Sequence, residues 1–267
     1  MTVQAVEIQR YDRRGPQTVA DQVAVEEPLE IRLVHHLDPL SPAEQPLSIT
    51  MRTPGHDVEL ALGFLFAEQV VEGRDDVLDT HQAENQVTVV LGPEVRFDAR
   101  RLLRHFFTAS SCGVCGRAAM APLLARPRPG PGPKVSGEVL RTLPGALRAA
   151  QTLFGHTAGV HAAAAFTGEG ELVSVFEDVG RHNAVDKLVG AALLEGRTRH
   201  ADRLLVVSGR TSYDIMQKAA VAGFPLVAAV GAPSSLAVDM ARELDVTLIG
   251  FLSEARFNVY AGAERIG

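Results

Sequence analysis

The apolar positions of this chain change their spacing along its length, and the changes mark its elements. Val23, Val25, Leu29, Ile31 and Leu33 follow one another by twos, with a break at Glu27-Pro28, which predicts a hairpin with one buried face. Residues 46–51 continue in the same style. Thr53-Pro54-Gly55-His56-Asp57 predicts a turn with Asp57 as N-cap of a helix. That helix carries Val58, Leu62, Leu65, Phe66 and Gln69 on one side and ends near Glu72-Gly73. Val87, Val89 and Leu91 alternate into a strand before Gly92-Pro93, and 99–107 reads as a short helix. The first third is thus mixed α and β.

Arg126-Pro127-Arg128-Pro129-Gly130-Pro131-Gly132-Pro133 cannot be helix or central strand, because proline lacks the backbone donor and fixes φ. The stretch is a linker or an exposed crossing. Ser136 then caps a helical region running to Phe154, with Pro144 restarting it and Gly155 stopping it. From His161 the pattern becomes regular. Ala162–Phe166 and Leu172–Glu177 flank Gly168-Glu169-Gly170 as a hairpin, 181–194 is a helix with Val185, Leu188, Val189 and Ala192 on one face, and Leu204–Val207 is a buried strand. Residues 212–222, 226–230, 234–244 and 246–251 repeat helix, strand, helix, strand. Strands alternating with helices of about ten residues imply parallel pairing and a layered α/β sheet.

In such a sheet the turns at the carboxyl ends of the parallel strands share one rim, where ligands bind. Three turns have suitable chemistry: Glu177-Asp178-Val179-Gly180-Arg181-His182-Asn183 followed by Lys187, Ser208-Gly209-Arg210-Thr211-Ser212, and Gly231-Ala232-Pro233-Ser234-Ser235. Small residues at a helix start expose amide N–H groups to an anion, so together the turns read as a phosphate or nucleotide site. None matches the P-loop or the dinucleotide fingerprint, which removes ordinary NTPase and Rossmann assignments. The carboxylates of Glu177 and Asp178 could act as an acid and base, hydrogen-bond a ribose or guanine edge, or simply cap the helix; recognition is favoured because no water-activating metal set accompanies them.

Composition narrows the class without changing it. The 267 residues are 46% hydrophobic and 22% charged, with a net charge of −6, ordinary for a globular chain and without a basic field for nucleic acid or anionic membrane. The first twenty residues are charged at Glu7, Arg10, Asp12, Arg13 and Arg14, and no apolar run reaches the about 18 residues of a membrane span. A cytoplasmic location is expected.

The chain has two cysteines, placed as Ser110-Ser111-Cys112-Gly113-Val114-Cys115-Gly116. Small residues on both sides give little to bury, so the pair is read as accessible thiols on a loop. A structural zinc would need four ligands, and His105, His156 and His161 do not stand at finger spacing. A thioredoxin-like site would place the first cysteine after a strand, whereas Arg104–Thr108 looks helical. Sulfur carriage is the third option: a thiolate accepts sulfur from a donor persulfide and yields it to an acceptor. Arg117 and His105 are candidates for lowering the thiol pKa.

Arg52-Thr-Pro-Gly-His-Asp57, the 110–116 stretch, Val160-His161-Ala-Ala, Glu177–Ala184 with Asp186-Lys187, Ser208-Gly-Arg210 and the closing Gly250-Phe251 segment resemble the formate dehydrogenase accessory sulfurtransferase family, FdhD, from about residue 20 onward. The resemblance implies a cytoplasmic homodimer in which a smaller mixed α+β N-terminal domain (1–125) ends in the cysteine loop. Residues 126–137 would link it to an α/β cofactor-binding domain (138–267) with a cytidine-deaminase-like, three-layer fold. The implied activity is transfer of sulfur from a cysteine desulfurase, through a persulfide on Cys112 assisted by Cys115, to the molybdenum bis-guanine-dinucleotide cofactor of formate dehydrogenase. Phe251, Leu252, Ser253, Glu254, Ala255 and Arg256 match the family's cofactor-binding stretch. With that ligand, its phosphates suit Arg181, Lys187 and Arg210 alongside Ser208 and Gly209, its guanine edge suits Glu177 or Asp178, and His182 and Asn183 complete the set. GDP is the expected mimic, and no zinc is expected.

Ala158 stands where a second glycine is usual, and Asp214 replaces a glutamate. Zinc deaminases need His-x-Glu with a later Cys-x-x-Cys; His161-Ala162-Ala163 lacks the glutamate and no cysteine follows Cys115, so deaminase chemistry is absent. The alternative reading, from another class, is a molybdenum-cofactor-binding chaperone without covalent sulfur transfer.

Overall fold

Period-two alternation becomes strand and three-residue periodicity becomes helix through most of the chain in the computed structural model, which describes residues 2–38, 41–95 and 128–267. Cys112, Cys115, His105, Arg117 and the helix expected over 99–107 lie outside the described residues. The chain opens with a hairpin of β1 (Val3–Asp12) and β2 (Gly15–Ala24) that no spacing rule had marked. Next come β3 (Glu27–Asp38), β4 (Ser41–Arg52), α1 (Asp57–Ala67), β5 (Val77–Ala83) and β6 (Gln86–Leu91). These four strands form a sheet of order β4-β3-β6-β5, with β3 and β6 parallel.

The second part runs α2 (Gly137–Ala150), α3 (Thr152–Thr157), β7 (His161–Phe166), β8 (Leu172–Asp178), α4 (Arg181–Leu194), β9 (Leu204–Val207), α5 (Tyr213–Val221), β10 (Leu226–Ala229), α6 (Ser235–Glu243), β11 (Thr247–Gly250) and β12 (Asn258–Ala261). Its six strands are ordered β12-β11-β10-β9-β7-β8. β9, β10 and β11 are parallel, while β7, β8 and β12 each run antiparallel to a neighbour. All residues of β9, β10 and β11 are buried, as expected for parallel strands covered on both faces. Leu140, Leu143 and Leu147 of α2 cover one face; α4, α5 and α6 cover the other. This is the α/β class with a three-layer C-terminal part.

Two boundaries differ from expectation for local reasons. Asp57 does not cap α1: Arg52, 2% exposed, takes both its carboxylate oxygens at 2.9 and 3.0 Å, so His56 occupies the cap position in the left-handed conformation. Pro144 does not restart the helix begun by Ser136, whose Oγ accepts the Val139 N–H at 3.1 Å. α2 passes through Pro144 and breaks instead at Gln151.

The two sheets share one apolar cluster, joined where α1 crosses α4. A Cβ on Gly63 would collide with the Asp186 carbonyl, and one on Gly190 with that of Glu59. The crossing therefore requires two facing glycines, which set the two helix backbones almost in contact. The polar ends of the same elements are tied as tightly. Lys187 donates to the Thr53 carbonyl at 2.8 Å, and Asn183 Nδ2 to that of Met51 at 2.8 Å. At the other end of the chain, Arg265 donates to Pro131 O at 2.6 Å, while the Val135 N–H donates to Arg265 O at 2.9 Å and the Gly267 N–H to Val135 O at 3.0 Å, which anchors the described part of the proline-rich crossing.

Candidate functional site

Because β8 and β7 are antiparallel and β7 and β9 are antiparallel, β8 ends on the same edge as β9, β10 and β11. The three predicted turns and the Phe251–Arg256 segment therefore lie along one rim. Backbone bonds lace them: Gly231 N–H to Gly209 O at 3.1 Å, Ser234 N–H to Thr211 O at 2.9 Å, and Phe251 N–H to Gly231 O at 3.1 Å. A Cβ on Gly231 would sit 2.8 Å from Gly209 O, so only glycine lets these turns touch. Ser208 Oγ accepts the Ala162 N–H at 2.8 Å and fixes the end of β9 to β7. Arg210 and Arg256 are exposed at this edge. Phe251, also exposed, holds φ at 53°, and Leu252 packs into the core behind it. Ser253 closes a small turn onto the Arg256 carbonyl, with Glu254 and Ala255 exposed at its tip.

The turn after β8 divides its residues between the rim and the interior. Asp178 is fully buried and receives Lys187 Nζ at 2.7 Å, Asn183 Nδ2 at 2.9 Å, Gly180 N–H at 2.8 Å and Thr53 N–H at 3.2 Å. Lys187 is 1% exposed. These three side chains, expected as direct ligand groups, are bonded internally and join the rim turn to the end of β4. Glu177 likewise accepts the Leu153 and Phe154 amides at 2.7 and 2.8 Å, holding the first turn of α3. A carboxylate at a helix start is stabilised by the free amides there, and those bonds engage the edge expected to read guanine. The Arg52–Asp57 and Glu177–Ala184 motifs are thus structural partners.

Arg181 and His182 behave differently. Arg181 Nε is buried and unpartnered. His182 Nε2 lies 3.4 Å from Ser212 Oγ and 3.5 Å from Asp214 Oδ2, linking two turns. Burial pushes its pKa down to about 4 despite the opposing Asp214 charge, so at neutral pH the Asp214 contact is not an ion pair. His161 is lowered too, by burial and then by Arg181; its Nδ1 lies 3.2 Å from where a Gly209 Cβ would stand.

Between this rim and the α2–α3 bend is a cavity of about 510 Å³, within the size range of small-molecule sites. Its lining includes Leu147, Arg148, Gln151, Phe154, His161 and Ser208. The Arg148 guanidinium lies 3.8 Å from the centroid of the Phe154 ring. Spacing along the chain held one overlooked signal: Leu140, Leu143, Leu147 and Gln151 fall at helical intervals, so Gln151 stands where the buried stripe calls for an apolar residue. Among the described residues, four buried side-chain atoms have no hydrogen-bond partner: Gln151 Nε2, Arg181 Nε, Thr211 Oγ1 and His200 Nε2. The first three belong to the cavity and rim. No group of three or more His, Cys, Asp or Glu that could hold a metal occurs among the described residues, and no helix among them is long and apolar enough to cross a membrane.

Comparison with known proteins gives the family and the fold. The sequence profile of the FdhD/NarQ family matches residues 24–267, so the β1–β2 hairpin lies almost wholly before the matched region. The chain is 47% identical over 263 residues to the sulfur carrier protein FdhD of Streptomyces coelicolor, covering 93% of this chain and 90% of that one. It is 42% identical over 267 residues to the sulfur carrier protein FdhD of Sulfurisphaera tokodaii, covering 100% of both. A crystal structure described as a formate dehydrogenase accessory protein from Desulfotalea psychrophila shares the fold, with a TM-score of 0.79 at 22% identity and 100% coverage of both chains. With a profile matched over most of its length and full-length relatives above two-fifths identity, the chain belongs to the FdhD/NarQ family.

Proposed function

We propose that this chain carries sulfur as a persulfide on Cys112, received from a cysteine desulfurase, and delivers it to a molybdenum bis-guanine-dinucleotide cofactor held on the rim, in the service of formate dehydrogenase. The relatives named sulfur carrier protein support the carrier role. The observation that carries the acceptor site is the convergence on one rim of unpartnered Arg181 Nε and Thr211 Oγ1 with exposed Arg210 and Arg256. Fixed amides at the starts of α5 and α6 add to a field suited to the cofactor's phosphates. GDP serves as its soluble mimic. Asp178, Asn183, Lys187 and Glu177 position the rim without touching the ligand.

The Cys112 thiolate attacks the outer sulfur of the donor persulfide, and the donor cysteine leaves as thiolate. The Cys115 thiolate then attacks Cys112 Sγ, expelling the carried sulfur as hydrosulfide. In that step the sulfur gains two electrons and the cysteines become a disulfide, which a dithiol reductant must reopen. The protein acts in the cytoplasm as a homodimer.

Incubation with desulfurase and cysteine, followed by intact mass measurement, tests the carrier. One added sulfur trapped on Cys115→Ala and absent from Cys112→Ala supports transfer; no adduct on Cys115→Ala leaves a cofactor-binding chaperone. For the rim, Arg210→Ala and Arg256→Ala weaken GDP binding severalfold by calorimetry, and unchanged affinity in both sinks the site.

A further inference from the structure

The β1–β2 hairpin is zipped over ten residue pairs, yet no residue of either strand is buried. A two-stranded sheet standing alone in water is marginal at best, because little burial offsets the ordering of its backbone. Its base is anchored through one face, where the paired Val3 and Ala24 lie: Val3 lines a second cavity with Thr152 and Leu153 of α3, and Ala24 is 3.9 Å from where a Gly159 Cβ would stand. Alternate residues of a strand point to opposite faces, so the register gathers Val6, Ile8, Val19 and Val23 on the other face. None of the four belongs to either apolar cluster of the described residues, and Val23 is 42% exposed. Four β-branched side chains on one side of a sheet make an apolar surface of the kind that another protein surface covers.

The charges on that face identify what covers it. Arg10 lies two residues beyond Ile8 toward the turn, and Asp21 two residues beyond Val19 toward the base, so the Ile8–Val19 pair is the midpoint between a cation and an anion. A two-fold axis through that pair, between two stacked faces, covers apolar with apolar and brings Arg10 of each copy beside Asp21 of the other. The face is therefore complementary to itself, as an isologous contact requires, whereas like charges at both ends would repel a second copy. Within one chain the two side chains are 3.8 Å apart and 57% and 46% exposed, so solvent screens that pair and holds it weakly.

We propose that the hairpin is a clasp between two copies of this chain, its Val6, Ile8, Val19 and Val23 face stacked on the same face of the second copy. This rests on the homodimer reading and gives that dimer a contact surface. Stacked sheets lie about 10 Å apart, and the aliphatic stem of Arg10 then covers Val6 of the other copy. The base of the clasp meets α3, whose first amides are held by Glu177, so the contact between copies is tied to the turn after β8.

Sedimentation velocity on the full chain over a dilution series tests this. Wild type sediments as a dimer. Ile8→Asp weakens self-association by about tenfold or more, since each copy brings an unpaired carboxylate into the contact. Its circular dichroism stays that of wild type, because Ile8 belongs to neither core cluster. Arg10→Asp and Asp21→Arg, both at exposed positions, each weaken self-association severalfold by setting like charges against one another. An equimolar mixture of those two variants recovers wild-type affinity. That rescue arises only from a bond between copies, since mixing leaves the repulsion within each chain unchanged. Wild type that is monomeric throughout overturns the homodimer reading and the clasp together. A dimer that Ile8→Asp leaves intact, or charge variants that fail to rescue each other, overturns the clasp, leaves the homodimer reading standing and assigns the apolar face to a different partner.

Discussion

At the scale of single residues, the strongest bonds near the rim are inward-facing. The Asp178–Lys187 pair has both members essentially buried, with the Asp178 partners drawn from its own turn, from α4 and from Thr53 after β4. Removing one charge from such a pair leaves the other desolvated and alone. Asp178→Asn is expected to lower the unfolding free energy by about 3–5 kcal/mol, measured by urea titration. The double change Asp178→Leu with Lys187→Met should cost less than the two singles combined, and additive losses would show that the pair is not coupled. Histidines set the pH response. Burial holds His200, stacked on Phe224 with ring centroids 4.2 Å apart, and His182 at about 4. Their folded values lie below the unfolded one, so the unfolded chain binds more protons as pH falls. The stability they contribute is complete above about pH 6.5 and is lost as pH drops toward 4. Asp186, pushed up to about 6 by burial against the opposing Lys218 charge, works the other way over its own range. Two histidines outweigh it, so the thermal midpoint should fall between pH 6.5 and 4. His200→Phe should flatten that fall by on the order of 2–3 kcal/mol; an unchanged slope would rule out His200 as its source.

At the scale of elements, the decisive contact is α1 against α4. Their facing glycines permit an approach that any side chain forbids, and the approach positions the turn that starts α4. Gly190→Ala is expected to destabilise by about 1–3 kcal/mol or more and, by shifting α4, to weaken GDP binding although it lies far from the rim. A variant that melts like wild type would show that the helices can separate at little cost. α3 is the second informative element. At six residues it is too short to stand alone, and Glu177 secures its first amides. Glu177→Ala should cost about 1 kcal/mol and disturb the cavity wall carrying Phe154. Glu177→Gln, which keeps an acceptor, should lose less. Equal losses from the two would argue against the capping role.

At the scale of the whole molecule, one apolar cluster runs from the four-stranded sheet through α1 and α4 to the six-stranded sheet, while Arg265 fastens the C-terminus to residues 130–131. The two regions should therefore unfold together, with equal calorimetric and van't Hoff enthalpies; two resolved transitions would contradict a shared core. The regular alternation after His161 was legible because buried parallel strands and their crossover helices each impose a strong local period: α4 was read at its observed bounds, and β9 likewise. The β1–β2 hairpin was not, since both faces are largely exposed and hydrophobic spacing carries little information there. β12 was missed because four residues on a sheet edge give too short a pattern. The rim was legible for a similar reason: chain topology alone sends the glycine-rich turns to one edge. Residue type by itself determined the two-thiol chemistry available at Cys112 and Cys115, the α/β class and the family. Only the tertiary structure decided which charged groups of the motifs are bonded internally and which stay exposed at the rim. Asp178, Lys187 and Glu177 have the side chains of a binding site, yet their partners at Thr53, Leu153 and Phe154 come from distant segments, and a sequence does not display which of its polar groups those segments will satisfy. Gln151 is the converse: unremarkable as a letter, it becomes informative once folding buries it and leaves its amide without a partner.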